Sequence, residues 1–490
     1  MVSEKMNNNE FKVALAGVAG NILEWYDFAI FGYFSDIIGV NFFPPNQEGN
    51  ASLIEAFTVF GLAFLARPIG GAFIGKMGDI YGRKRALETS LFFMAFPTLA
   101  LGCLPTYAMA GWLSTALLIL VRLIQGLSVG GQLTSALVFT LERTHISKWG
   151  FWASTVYAAS SIGVSLSSLI ASILRDTLSD EQLQNWGWRI PFWLGGLGAL
   201  PAMYLRYNVP EYSLQHIEIE SDNDEIDNAD EQSQNSFVRL LEQEMGMELE
   251  VDPNSKQPIR DSFAKPNRRA LIAVAFATTV PATAYYIIFV WFAIFMESLG
   301  KTAIPHAFAI NSINTILGSI FFLLLAGWFT DQVKRYVTIM VVSGILLGSV
   351  FPLALDYIGS GLSNNAGIIA LFIQLFLSIL LVIWVGAMLP WMVFIFPPEI
   401  RLTSLSLGYN VSVGIWGGFS PLIATILTDQ ISFAAPGYFV AAAVALGLIG
   451  LWIAPSINYE ELFDQKSELE TLDIDESIRQ PLLSETHADI

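Results

Sequence analysis

The sequence predicts an all-α membrane protein of about twelve spans in two related halves, and three observations carry that reading: composition, long apolar runs and an internal repeat. Of 490 residues, 53% are hydrophobic and only 14% charged, and the mean hydropathy is +0.53. A soluble globule of this size needs more polar surface than that. Lipid is expected to cover much of the chain.

The formal charge of -18 is unevenly placed. Fifteen Asp/Glu face 4 Lys/Arg between Asn208 and Lys265, and 10 face 2 from Ser456 to Ile490, leaving 18 acids against 19 bases in the rest. The apolar body is therefore nearly neutral, and the acidity belongs to two appendages. A single cysteine, Cys103, excludes an internal disulfide framework and any multi-Cys metal site, and its apolar surroundings predict an inert core residue. Met1 to Glu10 is polar, and the apolar run that follows is longer than a signal-peptide core and lacks an obvious cleavage site, so it reads as a retained span.

A helix needs about 20 apolar residues to cross the hydrocarbon core. The runs, in order, are 11–40, 52–75, 86–104, 109–142, 150–174 and 189–207, then 269–297, 303–330, 337–355, 366–396, 404–428 and 433–455. Between the sixth and seventh lies a stretch too polar to order itself by burying apolar surface. The expected division is a six-helix bundle over 1–207, an acidic central loop over 208–268, a second six-helix bundle over 269–455 and an acidic tail over 456–490.

Cytoplasmic loops hold the excess of Lys and Arg. With both termini inside, 20 basic residues fall inside, two outside (Arg175, Lys301) and three within spans (Arg67, Arg122, Arg189). Both termini, the loop and the tail are thus expected on the cytoplasmic side, with the plasma (inner) membrane as the expected location.

The halves also resemble each other. Gly75-Lys-Met-Gly-Asp79 followed by Arg83 recurs as Gly327-Trp-Phe-Thr-Asp331 followed by Arg335, and Ser167-Ser-Leu-Ile-Ala171 recurs as Ser420-Pro-Leu-Ile-Ala424. Two matches at nearly one offset point to duplication, and a transporter built of paired halves is the favoured reading. In the first copy of the loop, glycines including Gly75 and Gly82 permit close approach of helix ends. Asp79 can bind basic groups or an exposed helix N-terminus, while Arg83, Lys84 and Arg85 can reach the C-terminal carbonyls of a neighbour. Such a loop, with Asp331 and Arg335 in the second half, is a candidate conformational latch; the alternative is that its bases only set topology.

With these residues in view, the chain resembles the major facilitator superfamily, and within it the metabolite:proton symporter family. The resemblance rests on the loop just described and on Gly20-Asn-Ile-Leu-Glu-Trp-Tyr-Asp-Phe28, Arg67-Pro-Ile-Gly-Gly71, Arg122-Leu-Ile-Gln-Gly126, Ser128-Val-Gly-Gly131, Trp186-Gly-Trp-Arg-Ile-Pro-Phe192 and Leu407-Gly-Tyr-Asn410. These cover essentially the whole membrane body. The resemblance implies the major facilitator fold, alternating access, and a central cavity lined mainly by the first and fourth spans of each half.

In the first span, Asn21, Glu24, Trp25 and Phe28 share a helical face, with Asp27 beside it. Each charge at a span centre costs ~2.5–3.5 kcal/mol on insertion scales, so acids there are expected to be protonated, paired or facing water. Burial favours the neutral carboxyl and a nearby Arg the charged one, which makes an acid beside a mobile Arg a suitable proton switch. Arg122, opening the fourth span, is the expected partner, and the resemblance points to it as well. Asp27 and Arg122 are the candidate proton-coupling pair, with Glu24 contributing; the alternative is a static ion pair that fixes packing. Arg67 either lines the cavity or pairs with a first-span acid. The fourth span departs from the family pattern: Gln132 stands where many relatives have Glu after the paired glycines. Gln132 shares a face with Arg122, Gln125 and Val129 and is a candidate substrate contact, as are Gln125 and Asn21.

The second half is nearly free of charge but aromatic, with Tyr285, Tyr286 and Trp291 in the seventh span and Trp384, Pro390 and Trp391 in the tenth. Rings attract cations at ~0.5–2 kcal/mol, so Tyr285, Tyr286 and Trp391, with Trp25 across the site, would suit a zwitterion or quaternary amine. The alternative is ordinary packing or interfacial anchoring. Asn311, Asn314 and Asn410 are expected to hydrogen-bond between helices rather than to ligands. A short amphipathic helix over 239–250 is possible in the loop, although solvated, unfolded appendages are the simpler expectation.

His145, His216, His306 and His487 are scattered, so no metal is expected, and no cofactor or nucleic-acid partner either. The chain has neither a phosphate-binding Gly-rich motif nor a His/Asp cluster, which argues against an enzyme. The expected activity is proton-coupled symport of a small organic acid, amino acid or betaine-like solute by a lipid-embedded monomer; the alternative is a transporter-like receptor without turnover.

Overall fold

The computed structural model describes residues 8–45, 47–70, 83–128, 132–142, 144–196, 260, 262–361 and 365–455. The loop over 208–259, with its amphipathic segment, and the tail over 456–490 lie outside the described residues. Among those described, nine helices are long and apolar enough to cross a membrane. They are the second span Ala51–Gly70, the fourth Trp112–Val138, the fifth Ile146–Thr177 and the seventh to twelfth: Asn267–Leu299, Ala307–Val333, Tyr336–Gly359, Ala366–Phe394, Ile400–Gln430 and Ala435–Ile453. The first span is the helix Asn8–Tyr33, which carries Glu24 and Asp27. Arg83–Cys103 forms the third, and the described part of the sixth is Ile190–Gly196.

Helix neighbours recur at an interval of six spans. The first span packs on the fifth as the seventh does on the eleventh, the third on the fourth and sixth as the ninth does on the tenth and twelfth. Between halves the second span meets the eleventh and the fifth meets the eighth, a pairing that the same pseudo-two-fold axis maps onto itself. Without a hydrophobic force between helices in lipid, such packing depends on small residues. The fifth span buries Ser154, Ser160, Ser161, Ser165, Ser167, Ser168 and Ser172. Its Gly163 lies so close to the first span that a Cβ would collide with the Ile22 carbonyl oxygen.

Large apolar side chains such as Phe96, Phe372 and Trp452 point outward, in keeping with a surface solvated by acyl chains. Cys103 is exposed as well, because the apolar run around it turns that face away from the bundle; the expectation of a core residue is corrected. Among the described residues, π-helical turns occur at Ile287–Trp291, Phe295–Leu299, Thr315–Phe322 and Val413–Gly417, all in the second half. These turns mark the seventh, eighth and eleventh spans as irregular where they meet the first half.

Candidate functional site

Asp27 is 2% exposed and points into the first half. Its carboxylate accepts from Thr98 Oγ1 at 2.7 Å and Gln125 Nε2 at 2.8 Å, and Arg122 Nη1 lies at 3.4 Å. Arg122, fully buried, also donates to Gln125 Oε1 at 3.0 Å. Its guanidinium sits 4.2 Å from the Phe31 ring centroid and 5.2 Å from that of Phe28, while Nε and Nη2 have no partner. Charge-assisted N–H···O contacts are usually ~2.7–2.9 Å, so the ion pair is loose and the neutral donors hold Asp27 more tightly than its counter-charge does. The arrangement can lose the Arg122 contact without leaving Asp27 unsolvated.

Glu24 is 4% exposed and Arg67 3%, yet among the described residues neither forms an ion pair. Arg67 instead packs its guanidinium against the corner of two tilted rings, 4.5 Å from the Phe28 centroid and 4.1 Å from that of Phe64. Phe64 meets Tyr286 edge-on at 5.2 Å, and Tyr286 stacks on Trp25 at 6.1 Å with an interplanar angle of 17°.

The Trp25 and Tyr286 rings wall a cavity between the halves, together with Tyr157 and Tyr409. Thr278, Pro281, Ala282 and Val413 complete its described lining. The volume is about 10 Å³, room for roughly one water. Lining residues come from the first, fifth, seventh and eleventh spans, whereas the resemblance implied the first and fourth spans of each half. The fourth span turns Arg122 and Gln125 toward Asp27, and the tenth packs Trp384 against Gly344 and Gly447 inside its own half.

The halves are bridged at both ends of this cavity. At one end Arg175, in the fifth span, donates to Asp36 at 2.8 and 3.0 Å, to the Tyr33 carbonyl at 2.9 Å and to Glu297 of the seventh span at 3.0 Å. The Tyr33 hydroxyl donates to the Phe289 carbonyl and accepts from Asn311 Nδ2. At the other end Asp331 accepts from the backbone N–H groups of Gly150 and Phe151, at 2.7 and 2.8 Å. These are unpaired donors of the first turn of the fifth span, where the helix dipole favours an anion. Gly150 and Gly327 touch there through backbone, with no space for a Cβ on either.

Geometry thus brings Asp27, Arg122 and Gln125 together, with Glu24 on the same helix as Asp27. Trp25 and Tyr286 line the cavity. Tyr285 lies one shell behind, its hydroxyl 3.3 Å from Ser161 Oγ. Asn21 donates to Ser160 at 3.0 Å, leaving its Oδ1 unpartnered. Trp391 is 1% exposed and outside the cavity lining, and Trp291 donates to Thr425. Gln132's side chain, Gly75, Asp79, Gly82 and the side chains of Arg83, Lys84 and Arg85 lie outside the described residues. Arg335 is an exposed N-cap of the ninth span and forms no ion pair among the described residues. Asn311 and Asn314 do bond across helices, to Ser168 and Ser378.

Sequence reasoning missed Tyr157, Tyr409 and Thr98 at the site, and Arg175, Asp36 and Glu297 at the bridge. Tyr409 sits in the Leu407-Gly-Tyr-Asn410 motif, which could have signalled it. Arg175 was counted as a charge outside the membrane, whereas the fifth helix runs through Thr177 and carries it into the interface.

The chain is a polytopic helical membrane protein, and comparison with known proteins places it among transporters. Residues 12–469 match the family described as sugar (and other) transporter, and the chain belongs to that family. A Staphylococcus aureus protein named for proline/betaine transport is 30% identical over 441 residues, covering 89% of this chain and 86% of that one. The citrate-proton symporter of Klebsiella pneumoniae is 28% identical, covering 88% of each chain. The proline/betaine transporter of Salmonella typhimurium is 27% identical, covering 89% and 82%. Among solved structures, a D-xylose-proton symporter superposes with a TM-score of 0.62 at 17% identity, covering 90% of this chain and 96% of the other. That likeness establishes the major facilitator fold with its twelve spans.

Proposed function

We propose that the protein is a proton-coupled symporter of a small carboxylate-bearing solute, zwitterionic or acidic, working by alternating access. The observation that carries the proposal is the Asp27–Arg122 pair, sealed inside the first half with Gln125 and Thr98, two residues along the first span from the cavity residue Trp25. Protonating Asp27 would release Arg122 to Gln125 and the surrounding rings, and that change in the first span would pass to the cavity through Trp25. Relatives named for proline, betaine and citrate all handle carboxylates, and one is named as a proton symporter. Glu24 is assigned a supporting part, and the aromatic walls are assigned to the solute's cation or apolar body.

The Lys/Arg asymmetry supports cytoplasmic termini, and a plasma membrane is assigned with them. The recurrence of helix neighbours at an interval of six spans supports two bundles over 1–207 and 269–455, divided by the acidic loop over 208–268 and followed by the tail over 456–490. The proposal involves no covalent step, and one chain holds the whole site.

Purified protein in proteoliposomes tests the reading. An inward proton gradient should drive uptake of a labelled solute such as proline or glycine betaine. Asp27→Asn should abolish driven uptake while leaving counterflow exchange partly intact. Driven uptake at the wild-type rate would sink the assignment of Asp27, and binding without any exchange in the wild type would indicate a receptor.

A further inference from the structure

Arg67 stands out as a buried cation whose ring contacts do not use its donors. Phe28 and Phe64, tilted at 59° with centroids 5.0 Å apart, form an aromatic corner against which the guanidinium packs. Nε and Nη2 are both buried and without a hydrogen-bond partner. Those two nitrogens form one edge of the guanidinium, and their N–H groups run parallel, the arrangement that takes a carboxylate in two hydrogen bonds. The aromatic corner holds the guanidinium in place before a ligand arrives.

Among the described residues, no side chain pairs with that edge. Asp27 already accepts from Thr98, Gln125 and Arg122. Glu24 is beyond ion-pair distance, since Arg67 forms no salt bridge among the described residues. A buried charge left unpaired is costly, and ring contacts offset only part of that cost. The cavity is close by. Phe64 touches Tyr286 edge-on, and Tyr286 lines the cavity together with Tyr409. Trp25 Nε1 and the Tyr286 hydroxyl, also buried and unpartnered, are further donors on the same wall.

We infer that Arg67 is the receptor for the solute's carboxylate, gripping it through Nε and Nη2, while the Trp25–Tyr286 ring pair takes the adjoining cation or apolar part. The inference rests on the reading of this cavity as the solute site. It makes Arg67 a specificity-determining residue that rejects an otherwise identical solute lacking the carboxylate, because such a solute would leave the two donors buried and unmet.

Binding to the full-length purified protein, read as the ligand-induced rise in Tm, tests this without requiring turnover. The probes are proline against prolinamide and glycine betaine against choline, each pair differing at the carboxylate. The wild type should bind the acids at least about a hundredfold more tightly than their partners. Arg67→Gln should lose most of that ratio, and Arg67→Lys, which keeps the charge but not the two-pronged edge, should weaken acid binding by about tenfold or more. Equal binding of acid and partner by the wild type overturns the inference, as does an Arg67→Gln protein that keeps the full ratio. Should Arg67→Gln fail to fold, Arg67→Lys and the wild-type ratio still decide. Loss of driven uptake is a separate readout: if Asp27→Asn keeps it while the Arg67 results hold, proton coupling fails and the carboxylate receptor stands.

Discussion

Removing the charge of Glu297 should open the end of the cavity that Arg175 closes. Arg175 Nη1 and Glu297 Oε2 are 3.0 Å apart, with side chains 12% and 33% exposed. At that separation and an effective dielectric of about 20, the bare attraction is roughly 5.5 kcal/mol. Most of it is offset by desolvation and screening at a partly exposed site, and Asp36 retains Arg175 in the first half at 2.8 Å, so a net loss of about 1–2 kcal/mol is expected. Gln at position 297 keeps an acceptor and a similar volume, so the loss is electrostatic. Because the bridge joins the two halves, the population open at that end should rise about 5- to 30-fold. Ser312→Cys serves as reporter, since Ser312 is 4% exposed and bonds Ser168 across the interface at 2.9 Å. The exposed Cys103 is replaced beforehand. Labelling by a membrane-impermeant thiol reagent should accelerate in Glu297→Gln by that factor, and the effect should vanish when Arg175 is already Gln. A change below twofold, or one that persists without Arg175, would refute the reasoning.

The opposite end should respond in the same way to Asp331→Asn, which keeps one acceptor for the Gly150 and Phe151 N–H groups but removes the charge at the helix N-terminus. A loss of up to ~2 kcal/mol is expected there, seen as faster labelling of Ser154→Cys; unchanged labelling would deny Asp331 a latching role. Gly163→Ala should lower Tm, because overpacking against the Ile22 carbonyl costs ~1–3 kcal/mol. Gly348→Ala, whose nearest atoms would lie at 3.4 Å, should leave Tm nearly unchanged.

The spans were legible because lipid imposes a length and a composition on each segment independently of the others. Asp27 and Arg122 were legible for a related reason: a charge inside a span needs a partner, and few candidates existed. The cavity walls were not. Trp291, Trp384 and Tyr286 are equally aromatic in sequence, but only Tyr286 faces the cavity, because helix rotation and the π-helical turns of the second half decide which ring points where.

By itself, the sequence determined the twelve spans, the duplication and the seclusion of charge in the first half, since each follows from transfer of local segments into lipid. Tertiary packing decided what those charges meet. It gave Asp27 three donors and left Arg67 against two rings with its N–H edge unmet. It also drew Arg175 from a loop count into a bridge between halves. Those outcomes depend on contacts between different helices, from Asp27 and Thr98, 71 positions apart, to Arg175 and Asp36, 139 apart, which no local pattern encodes.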